Sequence, residues 1–173
     1  MKKTLTTRNI AILAVLIGVN IVLNFFLRIP TATGFISLVE AGIVIAAWNF
    51  GATGGLIVGG LTGFLLDLMS GYPQWMFISL IIHGAEGAVF GYLGREKSSL
   101  SRLISIIAGG AVMVTGYFLG GILLQVLNHA SFQTAVYAST VDILGNVLQV
   151  LAGALLAGLI IEPVSQRLLA DGV

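Results

Sequence analysis

The chain contains no cysteine, which removes a disulfide framework and any thiol chemistry. Charge is nearly as scarce. Only 9% of the residues are charged, where a soluble domain carries about a quarter, and 57% are hydrophobic. A surface this poor in charge cannot dissolve 173 residues in water, so the composition describes an integral membrane protein. The formal net charge of +1 gives no reason to expect nucleic acid as a partner. No G-x-x-x-x-G-K-[ST] phosphate loop or other nucleotide motif is present. No HExxH occurs either, and with only two histidines a three-ligand zinc site would need distant carboxylates. An ATPase and a metal hydrolase are therefore both disfavoured, and no metal or cofactor is expected.

What the chain has in quantity is apolar runs long enough to cross a bilayer, which needs about 20 residues at 1.5 Å each for about 30 Å of hydrocarbon. Six spans are expected: Asn9 to Leu27, Phe35 to Phe50, Ala52 to Met69, Gln74 to Gly94, Arg102 to Leu127 and Thr140 to Gln166. The second is short and must tilt or sit partly in a loop. The breaks fall at RIPTATG, FGATGG, SGYP, REKSSLSR and NHASFQT, all rich in turn formers. The basic start and apolar run at the N-terminus also fit a signal peptide, but no small-residue cleavage site follows directly, which favours a retained first span. The fold class expected is all-α, one compact bundle of six transmembrane helices over residues 1–173.

With six spans, both termini share one side. That side receives Lys2, Lys3, Arg8, Arg95, Lys97, Arg102 and Arg167, and the other only Arg28. This asymmetry places the termini in the cytoplasm. RIPTATG, SGYPQ and the long loop NHASFQTAVYAST then face outward.

Glycine is abundant and spaced for helix contact. Gly51, Gly55, Gly59 and Gly63 recur every fourth residue, Gly87 and Gly91 repeat the interval, and so do Gly116 and Gly120. Small residues at this spacing let backbones approach in lipid, where little hydrophobic force drives helices together. Ala11, Ala14 and Gly18 on the first span fit either internal packing or a docking strip for another membrane subunit.

Ionisable groups inside a span are costly and by default functional. Trp75, Ser79, His83 and Glu86 share one helical face, and Asp142, Asn146 and Gln149 repeat the four-and-three spacing. Tyr117 and Gln125 stand on the fifth span. Asp67, Glu40, Asn128, His129 and Tyr137 fall in the same half of the bundle. A pocket opening outward, walled by spans four to six and roofed by the outer loops, would satisfy these groups. Bland readings compete. Asp67 and Asp142 also suit the wet interface, Glu40 a structural role at the start of the second span, Tyr72 and Trp75 an aromatic belt, and His83 with Glu86 a pair bonded only to each other.

The blocks RIPTATGFISLVEAGIVIAA, GGLTGFLLDLMSGYPQWMF and IHGAEGAVFGYLGR resemble the substrate-binding S components of energy-coupling factor (ECF) vitamin transporters. The resemblance is nearest the branch that groups riboflavin-type S components with hydroxymethylpyrimidine or pyridoxine carriers. It implies a multi-pass protein of a prokaryotic plasma membrane that binds a vitamin or precursor without catalysis. It implies RIPTATGFIS as a lid, with SGYPQ and NHASFQTAV helping to close the site. It also implies Ala11, Ala14 and Gly18 as a strip docking on a transmembrane coupling subunit (T component), with two ATP-binding cassette ATPases supplying the energy.

The spans carry no deep lysine or arginine, which disfavours a strongly anionic vitamin. A neutral or weakly basic ring such as hydroxymethylpyrimidine or pyridoxine fits better. Trp75 or Tyr117 would stack on it, Glu86 would accept from a ring amine or hydroxyl, and His83, Asn146 and Gln149 would read other edges, with Ser79 and Gln125 beside them. The alternative is a self-sufficient, proton-coupled secondary transporter. That class often shows inverted repeats, and the two halves of this chain show no convincing one.

Overall fold

A computed structural model describes residues 6–30, 35–94 and 98–169 of the chain. Among these, five helices are long and apolar enough to cross a membrane. Helix α1 runs Thr7–Leu27, α2 Val39–Ser70, α3 Met76–Leu93, α4 Ser99–Leu127 and α5 Phe132–Leu169. Between α1 and α2, strands β1 (Ile29–Pro30) and β2 (Phe35–Ile36) pair antiparallel, Ile29 opposite Ile36 and Pro30 opposite Phe35. The basic residues Lys2, Lys3, Arg95 and Lys97, on which much of the charge asymmetry rests, lie outside the described residues, as does the tip of the RIPTATG loop.

The second and third expected spans both fall in α2. A straight helix of its 32 residues would be about 48 Å long, too long for one crossing. The chain instead reverses at Gly51. A Cβ placed on Gly55 would stand 2.9 Å from the Ala47 side chain, and one on Gly59 would stand 3.4 Å from Ile43. Residues 43 and 59 would be about 24 Å apart along one helix. Gly51 makes the reversal with φ 71° and ψ −164°, a backbone region essentially closed to residues with a Cβ.

The segment before Gly51 is the centre of the bundle, with every residue from Val39 to Trp48 buried. Ile43, Val44, Ala46 and Ala47 reach 0% exposure and join Leu13, Val58, Leu66, Phe90, Ala157 and Ile161 in one apolar cluster. This accounts for so short an apolar segment: protein surrounds it, so its length need not match the hydrocarbon. Helix α3 packs on α2, α4 on α3, α5 on α4, and α5 closes the ring by returning to α2. Helix α1 packs only on α2 among the described elements, where the Asn20 amide donates to the Val39 carbonyl at 3.2 Å.

The sixth expected span begins too late. Helix α5 starts at Phe132, so most of the long loop expected over 128–140 is helical. Ser131 accounts for this: its hydroxyl accepts from the Thr134 amide at 3.2 Å and its carbonyl from the Ala135 amide at 2.9 Å, an N-cap arrangement. The turn between α4 and α5 is correspondingly tight, with His129 at φ 66°.

Candidate ligand cavity

The polar face of α3 turns inward at the end of the bundle that carries the β-hairpin. It meets a cavity of about 100 Å³, room for several waters or one small ring. Phe35, Ile36 and Ser37 cover it, and Tyr72 and Trp75 stand at the start of α3. Gly63, Leu66 and Asp67 line it from α2, His83 from α3, Met113 and Tyr117 from α4, and Asp142, Gly145, Asn146 and Gln149 from α5. Helices α3, α4 and α5, which carry the fourth to sixth expected spans, supply three of its walls. The fourth wall comes from α2, where Gly63 and Asp67 continue the every-fourth-residue glycine strip.

The aromatic rings form a connected set. Trp75 and Tyr117 lie 5.7 Å apart between centroids, His83 meets Tyr117 edge-on at 5.4 Å, and Phe35 of the hairpin meets Tyr72 at 5.9 Å. Arg28, at the foot of the hairpin, donates to Ser70 Oγ at 3.0 Å and lies over the rings of Phe25 and Phe35. It anchors the cover and is not itself among the lining residues.

Behind these surfaces Tyr117 and His83 have buried supports, and Gln149 is itself bonded on both sides. Ser79 Oγ lies 2.6 Å from the Tyr117 hydroxyl. His83 Nδ1 is 2.9 Å from Glu86 Oε2 and 3.7 Å from Glu40 Oε1. A carboxylate at Nδ1 fixes a proton there and leaves Nε2 free for another partner. Gln149 spans two elements: its Nε2 donates to Glu40 Oε1 at 2.9 Å and its Oε1 accepts from the Ser37 amide at 2.7 Å. Glu40 and Glu86 are both 0% exposed, and each keeps one oxygen with no hydrogen-bond partner among the described residues.

Of the residues singled out in the sequence, Trp75, His83, Tyr117, Asn146 and Gln149 thus line the cavity, whereas Ser79 and Glu86 stand behind it as supports. Gln125 lies elsewhere. Its amide donates to the Ala135 carbonyl at 3.3 Å and to Ser139 Oγ at 3.2 Å, tying α4 to α5. Glu40, His83 and Glu86 bring ligand-type atoms within 4.8 Å of one another, while His129 is exposed on the α4–α5 turn. Ala11, Ala14 and Gly18 face away from the bundle, and nothing lies within 4 Å of a Cβ built on Gly18.

The family described as ECF-type riboflavin transporter, S component, matches residues 4–166. The chain is an ECF-type S component. As such it is a multi-pass protein of the prokaryotic plasma membrane. It is similar to the thiamine precursor transporter HmpT of Lactococcus lactis subsp. cremoris (strain MG1363), 35% identical over 163 residues, 92% of this chain and 89% of that protein. It is also similar to an uncharacterized protein in the gap 3′ region of Pyrococcus woesei, 34% identical over 90 residues, 51% of this chain and 60% of that one. Residues 4–166, which the family matches, take in every cavity residue named above.

Proposed function

We propose that this S component captures a small heteroaromatic vitamin precursor from outside the cell, hydroxymethylpyrimidine or pyridoxine, and delivers it through an energizing module of a T component and two ATPases. In this reading the α2 hairpin counts as two spans, giving six in all with both termini cytoplasmic, and the cavity opens outward. Trp75 and Tyr117 stack on the ring, and His83, Asn146 and Gln149 bond its edges. Ser79 and Glu86 act by holding Tyr117 and His83, Gln125 by holding the α4–α5 turn, and the exposed strip Ala11, Ala14 and Gly18 meets the T component. The observation that carries the reading is the cavity itself: a ring-sized space between aromatic faces and supported polar heads, in a chain sharing 35% identity with a thiamine precursor transporter.

Intrinsic fluorescence tests it, because Trp48 and Trp75 are the only tryptophans and only Trp75 lines the cavity. Hydroxymethylpyrimidine or pyridoxine should quench the purified protein at submicromolar concentration, and Trp75→Phe should abolish most of the signal. Vesicles holding this chain alone should show no uptake. Proton-driven uptake by such vesicles would instead establish the secondary transporter, in which Glu40, His83 and Glu86 would carry the proton.

Gln149 makes a second test, since it joins the cover to the floor. Gln149→Leu keeps the volume but strands the Ser37 amide and a Glu40 oxygen, and an unmade buried hydrogen bond costs about 1–3 kcal/mol. Ligand dissociation in stopped-flow should accelerate at least about tenfold while association changes little. An unchanged off-rate would remove Gln149 from the closing mechanism.

A further inference from the structure

Asp67 is the cavity carboxyl that hydrogen bonding inside the protein satisfies only in part: Ser79 of α3 is within hydrogen-bonding reach of it, and no lysine or arginine lines the space to answer it. It lines the space from α2 and is nine-tenths buried, and its Oδ2 has no hydrogen-bond partner among the described residues. Its surroundings supply carboxyl groups rather than cations. Glu40 and Glu86 stand behind the floor, each with one oxygen that has no hydrogen-bond partner among the described residues, and His83 is the one basic side chain among the described lining residues. Asp142 lines the α5 wall, α4 presents the neutral hydroxyl of Tyr117, Tyr72 lies at the start of α3, and α1 brings the uncharged Asn20 to the start of α2. No lysine or arginine is among the lining residues.

An ionised carboxylate only accepts hydrogen bonds. The ring nitrogen of a neutral heteroaromatic base also only accepts. Facing each other in a desolvated cavity, the two repel unless a proton stands between them. We infer that the cavity takes its ligand as a cation: a heteroaromatic base bound together with one proton and paired through that proton with Asp67. The proton leaves the buffer acid or hydronium in bulk solution, whose bond to it breaks, adds to the lone pair of the ring nitrogen and stays in the N–H···O contact; no other bond forms or breaks. A ring nitrogen flanked by an exocyclic amino group suits this best. Once protonated it offers two parallel N–H donors, the pattern that a carboxylate accepts at both oxygens. The inference rests on the function proposed above and sharpens its substrate class to aminated, protonatable rings over equally sized neutral ones.

Calorimetry with the purified full chain and hydroxymethylpyrimidine tests it, run in two buffers of different ionisation enthalpy at a pH above the ligand's own pKa. The enthalpies should differ by the amount that corresponds to one proton taken up per ligand. In that range the apparent Kd should rise about tenfold per pH unit. Two aminopyrimidines of different basicity should give pH profiles whose midpoints follow the ligand. Asp67→Asn, with its ligand-free melting temperature checked against the parent, should abolish the uptake and weaken binding about 100-fold. Tight binding with no proton uptake would overturn the inference and leave the proposed function standing. A midpoint fixed for both bases would assign the proton to the protein, and full uptake by Asp67→Asn would remove its partner; either result also overturns it. Failure of every such base to bind would sink the proposed function and this inference together.

Discussion

Alanine in place of Gly55 is expected to lower the melting temperature of the detergent-purified protein by on the order of 10 °C, and the same change at Gly18 to leave it within a degree or two. The two substitutions add the same methyl group to a helix. At Gly55 that carbon would sit 2.0 Å from the carbonyl oxygen of Gly87, and a Cβ on Gly87 would sit 2.2 Å from that of Gly55. The contact is backbone against backbone, so no side-chain rotation relieves it and α2 and α3 must separate. They are the most extensively packed pair among the described elements, and separating them also disturbs Ile43, whose side chain would lie 2.9 Å from a Cβ on Gly87. Overpacking of this kind costs about 3 kcal/mol, and hydrocarbon supplies little compensating force to press the helices together. Gly18 points away from the bundle with nothing within 4 Å, and exposed substitutions stay within about 0.5 kcal/mol. A Gly55→Ala protein as heat-stable as its parent would refute the close α2–α3 contact.

Much of this architecture was legible because hydropathy and glycine spacing are local properties. The runs around Ile12, Leu65 and Leu123 are apolar enough to mark spans from any starting point, and FGATGG marks the Gly51 reversal because a four-residue glycine repeat begins where an apolar run stops. The start of α5 was not legible by hydropathy. FQTAVYAST is polar enough to read as loop, Tyr137 is 80% exposed, and only the Ser131 cap distinguishes a helix from a loop there. The site divides in the same way. The spacing of Trp75, Ser79, His83 and Glu86 shows that they share a face, but not which of them reach the cavity and which stop one layer behind it. The link from Glu40 to Gln149 crosses 109 positions. It exists because the central half of α2 is ringed by the other helices, and no periodicity within either segment encodes that. Gln125 carried the same type of signal as Gln149, an amide in an apolar helix, and is spent on the α4–α5 turn.

The second large effect concerns the ligand. His83→Ala is expected to raise the dissociation constant for hydroxymethylpyrimidine or pyridoxine at least about 100-fold, a loss of about 2.7 kcal/mol. The imidazole does three things at once: it lines the cavity, packs edge-on against Tyr117, and lies between Glu86 and Glu40. Removing it deletes a polar head facing the ligand, frees the Tyr117 ring to tilt, and leaves two buried carboxyl groups with no donor between them. Breaking a buried pair by taking one partner costs about 3–5 kcal/mol, so a fall in ligand-free stability is expected as well. Glu86→Gln separates the two consequences. Its amide oxygen still accepts from Nδ1, so the ring stays in place while the acidic group behind it is gone. That variant should keep most of the stability and lose only about tenfold in affinity, or about 1.4 kcal/mol. Fluorescence titration beside melting of the ligand-free proteins reads both quantities. If His83→Ala melted lower but bound as tightly as the parent, the imidazole would be a packing element of the α2–α3 interface. If both variants bound like the parent, the ligand would sit elsewhere than in this cavity.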